Sequence, residues 1–436
     1  MAIINKIKSL VQHQGFRRYA ANTSWMMAEQ MLRIIAGLLV GIWVARYLGP
    51  EQFGLFSYVL AFTAIFGGIA KLGLDGIMVR ELVNHPEKRD TYLGTAFWLK
   101  ILGAFLVMGI MAAIVPFTSN DATTNTFIFI IAAGLVFQSF EVVEFYFQSQ
   151  VLAKIVSICK VIQLALSSMV KIYLVLTEAE LMYFVLVTAF DALSLAVSYA
   201  IAYKLQKNPA FYKHFDFQIA KQLLKDSWPL IFSAIVVMIY MRIDQIMIKE
   251  MLGEYEVGIY SAAIRLSEAF YFIPTLIAAS LFPAIVNAKK TNHELYMLRM
   301  QRLYTLMIWL AVAIALPMTF LSSLLVPFLF GEAYIDSIPV LIVHIWAVPL
   351  VFLLVVSGKW FIIENLSFME FYRNLIAMII NIACNFALIP IYGQVGAALA
   401  TLIAFLFSAY LFDVISSKTR VQFYLKSKAI IGKGLM

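Results

Sequence analysis

Residues 47–58, YLGPEQFGLFSY, and residues 251–262, MLGEYEVGIYSA, repeat one pattern of small residues at a constant offset of 204 positions. Both contain Leu-Gly followed by a further glycine and a serine: Leu48, Gly49, Gly54 and Ser57 in the first, and Leu252, Gly253, Gly258 and Ser261 in the second. Long apolar segments flank each stretch. We interpret the two stretches as the same outward loop in two copies of a duplicated unit.

The composition indicates that the chain folds in a bilayer. Of its 436 residues, 62% are hydrophobic and 13% are charged, about half the charged share of a soluble domain. A soluble fold cannot bury so much apolar surface in one core. The net charge of +8 is spread over short stretches between apolar runs, which argues against a nucleic-acid partner. Cys159 and Cys384 lie in apolar segments and suggest neither a disulfide framework nor a metal site.

A helix needs about 20 apolar residues to cross the hydrocarbon core. Twelve segments qualify, near 24–46, 52–74, 92–115, 124–148, 152–176, 181–203, 228–249, 256–286, 301–329, 336–362, 370–391 and 394–416. We therefore predict an all-α polytopic membrane protein with about twelve transmembrane helices. Its two six-helix lobes would be parallel repeats around a central cavity. Transporters built from repeats of this kind place their sites there.

The same pattern suggests domain limits. We expect an N-terminal lobe over 1–204, a cytoplasmic linker over 205–227, a C-terminal lobe over 228–417 and a basic cytoplasmic tail over 418–436. Residues 1–15 have apolar side chains at helical spacing, which predicts a short amphipathic helix on the membrane surface rather than a cleaved signal.

Lysine and arginine concentrate in alternate loops. The N-terminal segment, the linker and the tail are rich in them, whereas the intervening loops carry mainly acids such as Glu51, Asp121 and Glu332. Because basic loops stay in the cytoplasm, both termini are predicted to be cytoplasmic.

Several charged residues fall within the predicted spans, where charge is costly and usually faces a cavity or a partner. These are Glu29, Arg33, Glu141, Glu144, Lys171, Asp191, Arg242, Asp244, Arg265 and Glu268, and Asp75 ends the second span. Glu29 and Arg33 share a helix face, as do Arg265 and Glu268. Such pairs either only neutralise themselves or serve a site.

Other charges cannot pair so simply. Arg242 and Asp244 are two residues apart and point to different sides, so each needs another partner or a wet cavity. We expect Lys171 to extend to the outer interface, Glu141 and Glu144 to lie near water, and His344 to be packed and hydrogen-bonded.

Arginine suits phosphate oxygens because its guanidinium is forked and always charged, while acids beside it can hold a proton or a sodium ion. No nucleotide-binding, metalloprotease or serine-hydrolase motif occurs. We therefore predict a transporter with no catalytic residue, no metal and no cofactor beyond a coupling proton or sodium ion.

Certain stretches resemble the oligosaccharide flippases, the Wzx-like O-antigen repeat-unit exporters of the multidrug/oligosaccharidyl-lipid/polysaccharide exporter superfamily. The stretches, taken together, cover much of both halves. They are NTSWMMAEQMLRIIAGLLVGIWVARYLGPEQFGLFSY (22–58), KLGLDGIMVREL (71–82), YMRIDQIMIKEMLGEYEVGIYSAAIRLSEAFYFIP (240–274), SLFPAI (280–285) and NFALIPIYGQVGAALATLIA (385–404).

The resemblance implies alternating access around a cationic cavity. Polyprenyl diphosphate-linked glycans would move from the inner to the outer leaflet, with membrane lipid and the polysaccharide polymerase machinery as partners. It implies that Arg33, Arg242 and Arg265 bind the substrate. Glu29, Asp75, Asp244 and Glu268 match the family pattern as ion-coupling or cavity-lining acids, to which the charge pattern adds Asp191.

Three alternatives are weighed against this interpretation. A multidrug cation antiporter of the same superfamily would need an acid-rich cavity, and the arginines argue against it. A membrane glycan polymerase or ligase would need a sizeable outward loop with catalytic groups, which the sequence does not offer. A lipid II flippase usually has fourteen spans rather than twelve.

Overall fold

A computed structural model describes residues 14–433, with side chains from residue 22 onward. The surface helix predicted over 1–15 lies almost wholly outside these residues. Every regular element within them is helical, and they contain no strand. The α-helices are α1 Gln14–Ala70, α2 Asp75–Asn84, α3 Arg89–Ile114, α4 Ala122–Phe137, α5 Glu141–Ser149, α6 Ala153–Leu176, α7 Leu181–Leu205, α8 Phe217–Leu252, α9 Glu254–Glu268, α10 Phe272–Thr291, α11 His293–Phe330, α12 Ser337–His344, α13 Ala347–Ile363, α14 Ser367–Leu406, α15 Phe412–Ile415 and α16 Arg420–Ile430.

Ten helical segments of the described chain are long and apolar enough to cross a membrane. Two of them contain a break at a glycine with positive φ, Gly49 in α1 (φ 71°) and Gly393 in α14 (φ 58°). Only glycine adopts such a conformation at little cost. The predicted all-α, multi-pass membrane fold is confirmed, while the number of twelve spans and the lobe limits stay predictions.

Helix α8 begins at Phe217, inside the segment predicted to be a linker. The Asp216 carboxylate accepts hydrogen bonds from the backbone N–H groups of Gln218 (2.7 Å) and Ile219 (3.0 Å). These bonds satisfy donors that a helix N-terminus leaves without partners. Ile219 is also buried, so the helix begins as an amphipathic turn ahead of the apolar span.

The chain forms two compact units, and the division between them is not a single point in the middle of the sequence. The first comprises residues up to Val44 together with Phe62–Ile235, and the second comprises Ala45–Ala61 together with the residues from Val236 onward. The break at Gly49 therefore lies in a segment that packs with the second unit. The first unit has its own apolar core, in which the ring of Phe97 packs edge-on against Phe140 and Phe211.

In the second unit, the two repeated loops pack against each other through their glycines. A Cβ atom added to Gly54 would overlap the carbonyl oxygen of Glu254, and one added to Gly258 would overlap the carbonyl oxygen of Pro50. Both glycines, and both of the residues they contact, are related by the offset of 204 positions. The contact is thus reciprocal, and it brings two helix backbones together as small residues allow in membranes.

Helix α16, in the segment predicted to be a tail, is anchored by a buried ion pair. Lys426 donates to the Asp413 carboxylate and to the carbonyl oxygen of Ala409, each at 2.6 Å. Neither charged side chain is exposed to solvent. Burial lowers the pKa of Lys426 to about 8, although Asp413 acts in the opposite direction.

The reciprocal glycine contact gives a prediction. Gly54→Ala or Gly258→Ala should lower the stability of the purified protein by about 1–3 kcal/mol, since a methyl group forced against backbone must move a helix. Thermal unfolding in detergent measures this. Gly37→Ala is the matched control, because a Cβ atom there meets nothing within 4 Å. Equal unfolding temperatures for the Gly54 and Gly37 variants would contradict the proposed packing.

Candidate functional site

The side chain of Asp244, on α8, is buried in a cage of neutral hydrogen-bond donors. Tyr260 Oη of α9 donates to its carboxylate at 2.8 Å, and Asn385 Nδ2 of α14 at 2.6 Å. The Thr401 hydroxyl, beyond the break in α14, donates to the same carboxylate. Donors from three helical segments besides α8 thus converge on one acid: α9, the part of α14 before its break and the part of α14 beyond it.

The sequence of α14 explains how these donors are held. Asn381 and Asn385 are four residues apart and lie on one helix face. Asn385 Nδ2 also donates to Asn381 Oδ1 at 3.1 Å, and Asn381 Nδ2 donates to Thr401 Oγ1 at 3.4 Å. The break at Gly393 separates the asparagines from Thr401, and their hydrogen bond joins the two parts of the helix.

Asp244 forms no ion pair with a basic side chain among the described residues, and Asn385 Oδ1 is buried without a hydrogen-bond partner. A cavity of about 20 Å³, lined in part by Asp244, Thr401 and Glu268, adjoins the carboxylate. That volume is enough for one water-sized species. Chemically, the cage can hold a proton on Asp244 or a small cation coordinated by carboxylate, amide and hydroxyl oxygens.

Arg242 and Asp244 find different partners, as predicted from their spacing. The guanidinium of Arg242 lies 3.6 Å from the Glu268 carboxylate. Arg265 and Glu268, which share a helix face, form no direct ion pair with each other among the described residues. Arg265 instead places its guanidinium 5.2 Å from the centre of the Phe53 ring, an arrangement favoured by the negative face of an aromatic ring. Glu268 faces the neighbouring helix, so tertiary packing overrides the local spacing.

In the first unit, the predicted pair of Glu29 and Arg33 is confirmed by a direct contact between their side chains. The Arg33 side chain is 44% exposed, so it can also reach another anion. Asp75 begins α2 and interacts electrostatically with Lys100 and Glu141.

Lys171 forms an ion pair with a residue of the next helix, and its extension to the outer interface stays a prediction. Its ammonium group lies 3.0 Å from the Asp191 carboxylate and 2.8 Å from Ser167 Oγ. The pair links α6 to α7 through Asp191 Oδ2. Asp191 therefore has a fixed cation as its partner.

The two glutamates of α5 are likewise paired rather than left to water. Glu141 accepts from Lys100 and Glu144 from Lys160, each at 2.6 Å. Tyr199 Oη also donates to Glu144 at 2.6 Å. The sequence missed these pairs because Lys100 and Lys160 lie in apolar runs on other helices.

His344 is packed and hydrogen-bonded, as predicted. It is buried, and its Nδ1 lies 2.7 Å from Ser267 Oγ. The residues that sequence reasoning missed are Tyr260, Asn381, Asn385 and Thr401. The available signal was the pair of carboxamides four residues apart in an otherwise apolar span. In the described part of the chain, no group of three or more His, Cys, Asp or Glu side chains is arranged to hold a metal.

The chain matches a family model described as polysaccharide biosynthesis protein over residues 19–289. This is more than half of its length, so the chain belongs to that family, and the resemblance found in the sequence is confirmed. It is 23% identical to the probable flippase AglR of Haloferax volcanii, over 89% of this chain and 81% of that protein. It is 22% identical to the capsular polysaccharide biosynthesis protein CapF of Staphylococcus aureus, over 88% and 95%.

Solved structures share the fold. An inward-facing multidrug resistance MATE family transporter of the MOP superfamily superposes with a TM-score of 0.70 at 15% identity, covering 95% of this chain and 99% of that one. The lipid II flippase MurJ, in an inward closed conformation, gives 0.69 at 15% identity, covering 93% and 90%. At this level of identity, the similarity establishes the fold alone.

The pair of Lys171 and Asp191 can be tested by a double-mutant cycle. Lys171→Met should cost roughly 1–3 kcal/mol of stability, because it leaves a partly buried carboxylate without its cation. Combining it with Asp191→Asn should recover most of that loss, which thermal unfolding of the four proteins would show. Additive effects would mean that the two side chains do not interact.

Proposed function

We propose that the protein is a flippase. It moves polyprenyl diphosphate-linked oligosaccharide repeat units from the cytoplasmic to the outer leaflet of a bacterial inner membrane by alternating access, with both of its termini in the cytoplasm. The observation that carries this is the family match over residues 19–289. The name of the relative AglR and the fold shared with a lipid II flippase support it.

The substrate's diphosphate is assigned to Arg33, Arg242 and Arg265. Each is an arginine inside a predicted span, and a guanidinium can replace the water around phosphate oxygens through paired hydrogen bonds. The Arg265 guanidinium lies over the Phe53 ring and forms no direct ion pair in the described part of the chain, so its hydrogen-bond donors remain for a ligand. The polyprenyl chain stays in the bilayer, while the glycan, for example an O-antigen repeat unit, is handed to the polymerase machinery.

The coupling cation, a proton or a sodium ion, is assigned to Asp244. Three of the five predicted acids are ion-paired: Asp191 with Lys171, Glu29 with Arg33 and Glu268 with Arg242. The charge of a fourth, Asp75, interacts with Lys100. Asp244 is held by neutral donors instead. A carboxylate of that kind can accept a cation without first breaking an ion pair. The membrane potential adds about 2.3 kcal/mol per charge per 100 mV.

A second candidate is a multidrug cation antiporter, which the similarity to a MATE transporter favours. It fits less well, because three arginines among the predicted site residues would repel an organic cation.

Deleting the gene in its native host tests the flippase. Lipid-linked glycans should accumulate as complete repeat units on the cytoplasmic face, with surface polysaccharide lost. Arg33→Ala, Arg242→Ala and Arg265→Ala should each restore little surface polysaccharide when reintroduced, whereas Arg420→Ala, outside the spans, should restore it fully. Units that reach the outer face without being polymerised would argue for a polymerase instead.

The coupling site is tested in proteoliposomes that contain the lipid-linked glycans of the host. An imposed sodium or proton gradient should accelerate flipping by the wild-type protein. Asp244→Asn, which removes the charge but keeps the size, should reduce that acceleration at least ten-fold. Asp226→Asn, at an exposed pair with Arg80, is the control. Unchanged gradient dependence in the Asp244 variant would exclude this acid as the coupling group.

A further inference from the structure

A cavity of about 430 Å³ lies in the second unit, away from the Asp244 cage. It lies between the C-terminal ends of α10 and α13, the N-terminal end of α11 and the residues around the start of α16. The side chains that matter in its wall are Lys289, His293, Tyr296, Trp360, Glu364 and Lys418. The basic-loop pattern assigns these helix ends to the cytoplasmic side of the membrane.

The charge of the cavity is positive overall. Lys289 Nζ lies 2.6 and 2.8 Å from the two Glu364 carboxylate oxygens, and Tyr296 Oη donates to Glu364 at 2.8 Å. The one acid in the wall is therefore already neutralised. Lys418 is exposed and forms no ion pair among the residues described. His293, also exposed, lies beside Tyr296. An anion would meet an available ammonium group and an imidazole.

The surroundings of the cavity are apolar. Trp360 and Tyr296, both buried, form the aromatic part of the wall. Next to the wall residues in sequence, Ile362 is 52% exposed and Phe368 is 75% exposed. Exposed apolar side chains on the helices of a membrane protein can contact acyl chains. The site therefore offers a place for an anionic head beside a surface for acyl chains.

We propose that this cavity binds the phosphate headgroup of an anionic phospholipid from the cytoplasmic leaflet. Lys418 and His293 contact the phosphate, the ion pair of Lys289 and Glu364 closes the inner wall, and the acyl chains follow Ile362 and Phe368. Basic pockets between transmembrane helices on this side of a membrane are suited to anionic headgroups. The site is separate from the proposed glycan and cation sites and does not depend on them.

The test uses the purified full chain in micelles doped with phosphatidylglycerol or phosphatidylcholine. Native mass spectrometry counts the lipid retained, and thermal unfolding gives its apparent affinity. Phosphatidylglycerol should be retained and should raise the unfolding temperature, and phosphatidylcholine should do neither. Lys418→Ala should weaken phosphatidylglycerol binding about five-fold, Lys418→Arg should restore it, and Lys290→Ala, exposed but outside the wall, should leave it unchanged.

Other outcomes would overturn the proposal. Equal binding of phosphatidylglycerol by the wild-type and Lys418→Ala proteins would remove the assigned contact. Equal stabilisation by inorganic phosphate at the same concentration would show a site for a free anion rather than for a lipid. Displacement of phosphatidylglycerol by undecaprenyl diphosphate at much lower concentration would show that the cavity belongs to a diphosphate substrate.

Discussion

A charged side chain at bilayer depth has no water to hydrate it, so the protein must supply a partner. In the first unit the partners are charges on neighbouring helices: Lys100 with Glu141, Lys160 with Glu144 and Lys171 with Asp191, all within 3.0 Å. Each pair also specifies which two helices are neighbours, because a misplaced helix would leave a bare charge. Around Asp244 the second unit meets the same requirement with neutral donors, so the charge of Asp244 can change without leaving a cation unpaired.

The reciprocal contact of Gly54 and Gly258 sets how closely two helices of the second unit approach. Since each glycine lies against the carbonyl group of a residue four positions before its counterpart, any side chain at either position would push both helices apart. Arg265 lies seven residues beyond Gly258, and its guanidinium reaches Phe53, the neighbour of Gly54. The position of this proposed phosphate-binding group therefore depends on a backbone contact made by residues without side chains.

Local features of the site could be predicted from sequence, and features that join helices could not. The pair of Glu29 and Arg33 follows from a spacing of one helical turn, and the divergence of Arg242 from Asp244 follows from a spacing of two residues. By contrast, Glu268 meets Arg242 rather than Arg265, and Lys171 meets Asp191, because packing between helices selects those partners. The fold class was predictable because twenty-residue apolar segments leave a chain few alternatives to membrane helices. The asparagines of α14 were not recognised, since an uncharged side chain does not stand out in a pattern of charges.

The repeated loops keep one backbone geometry while the charges around them differ. When the two halves of the sequence are aligned with an offset of 203 or 204 positions, Gly41 or Val40 is the counterpart of Asp244. Neither residue can ionise. A ligand shifts a conformational equilibrium only through a difference in its affinity for the two states. Asp244 is held by donors from α9 and from both sides of the break in α14, so movement of any of these segments changes how well a bound cation is coordinated. The proposed coupling of cation binding to movement needs such a cage, and the counterpart of Asp244 in the first half of the sequence has no ionisable group.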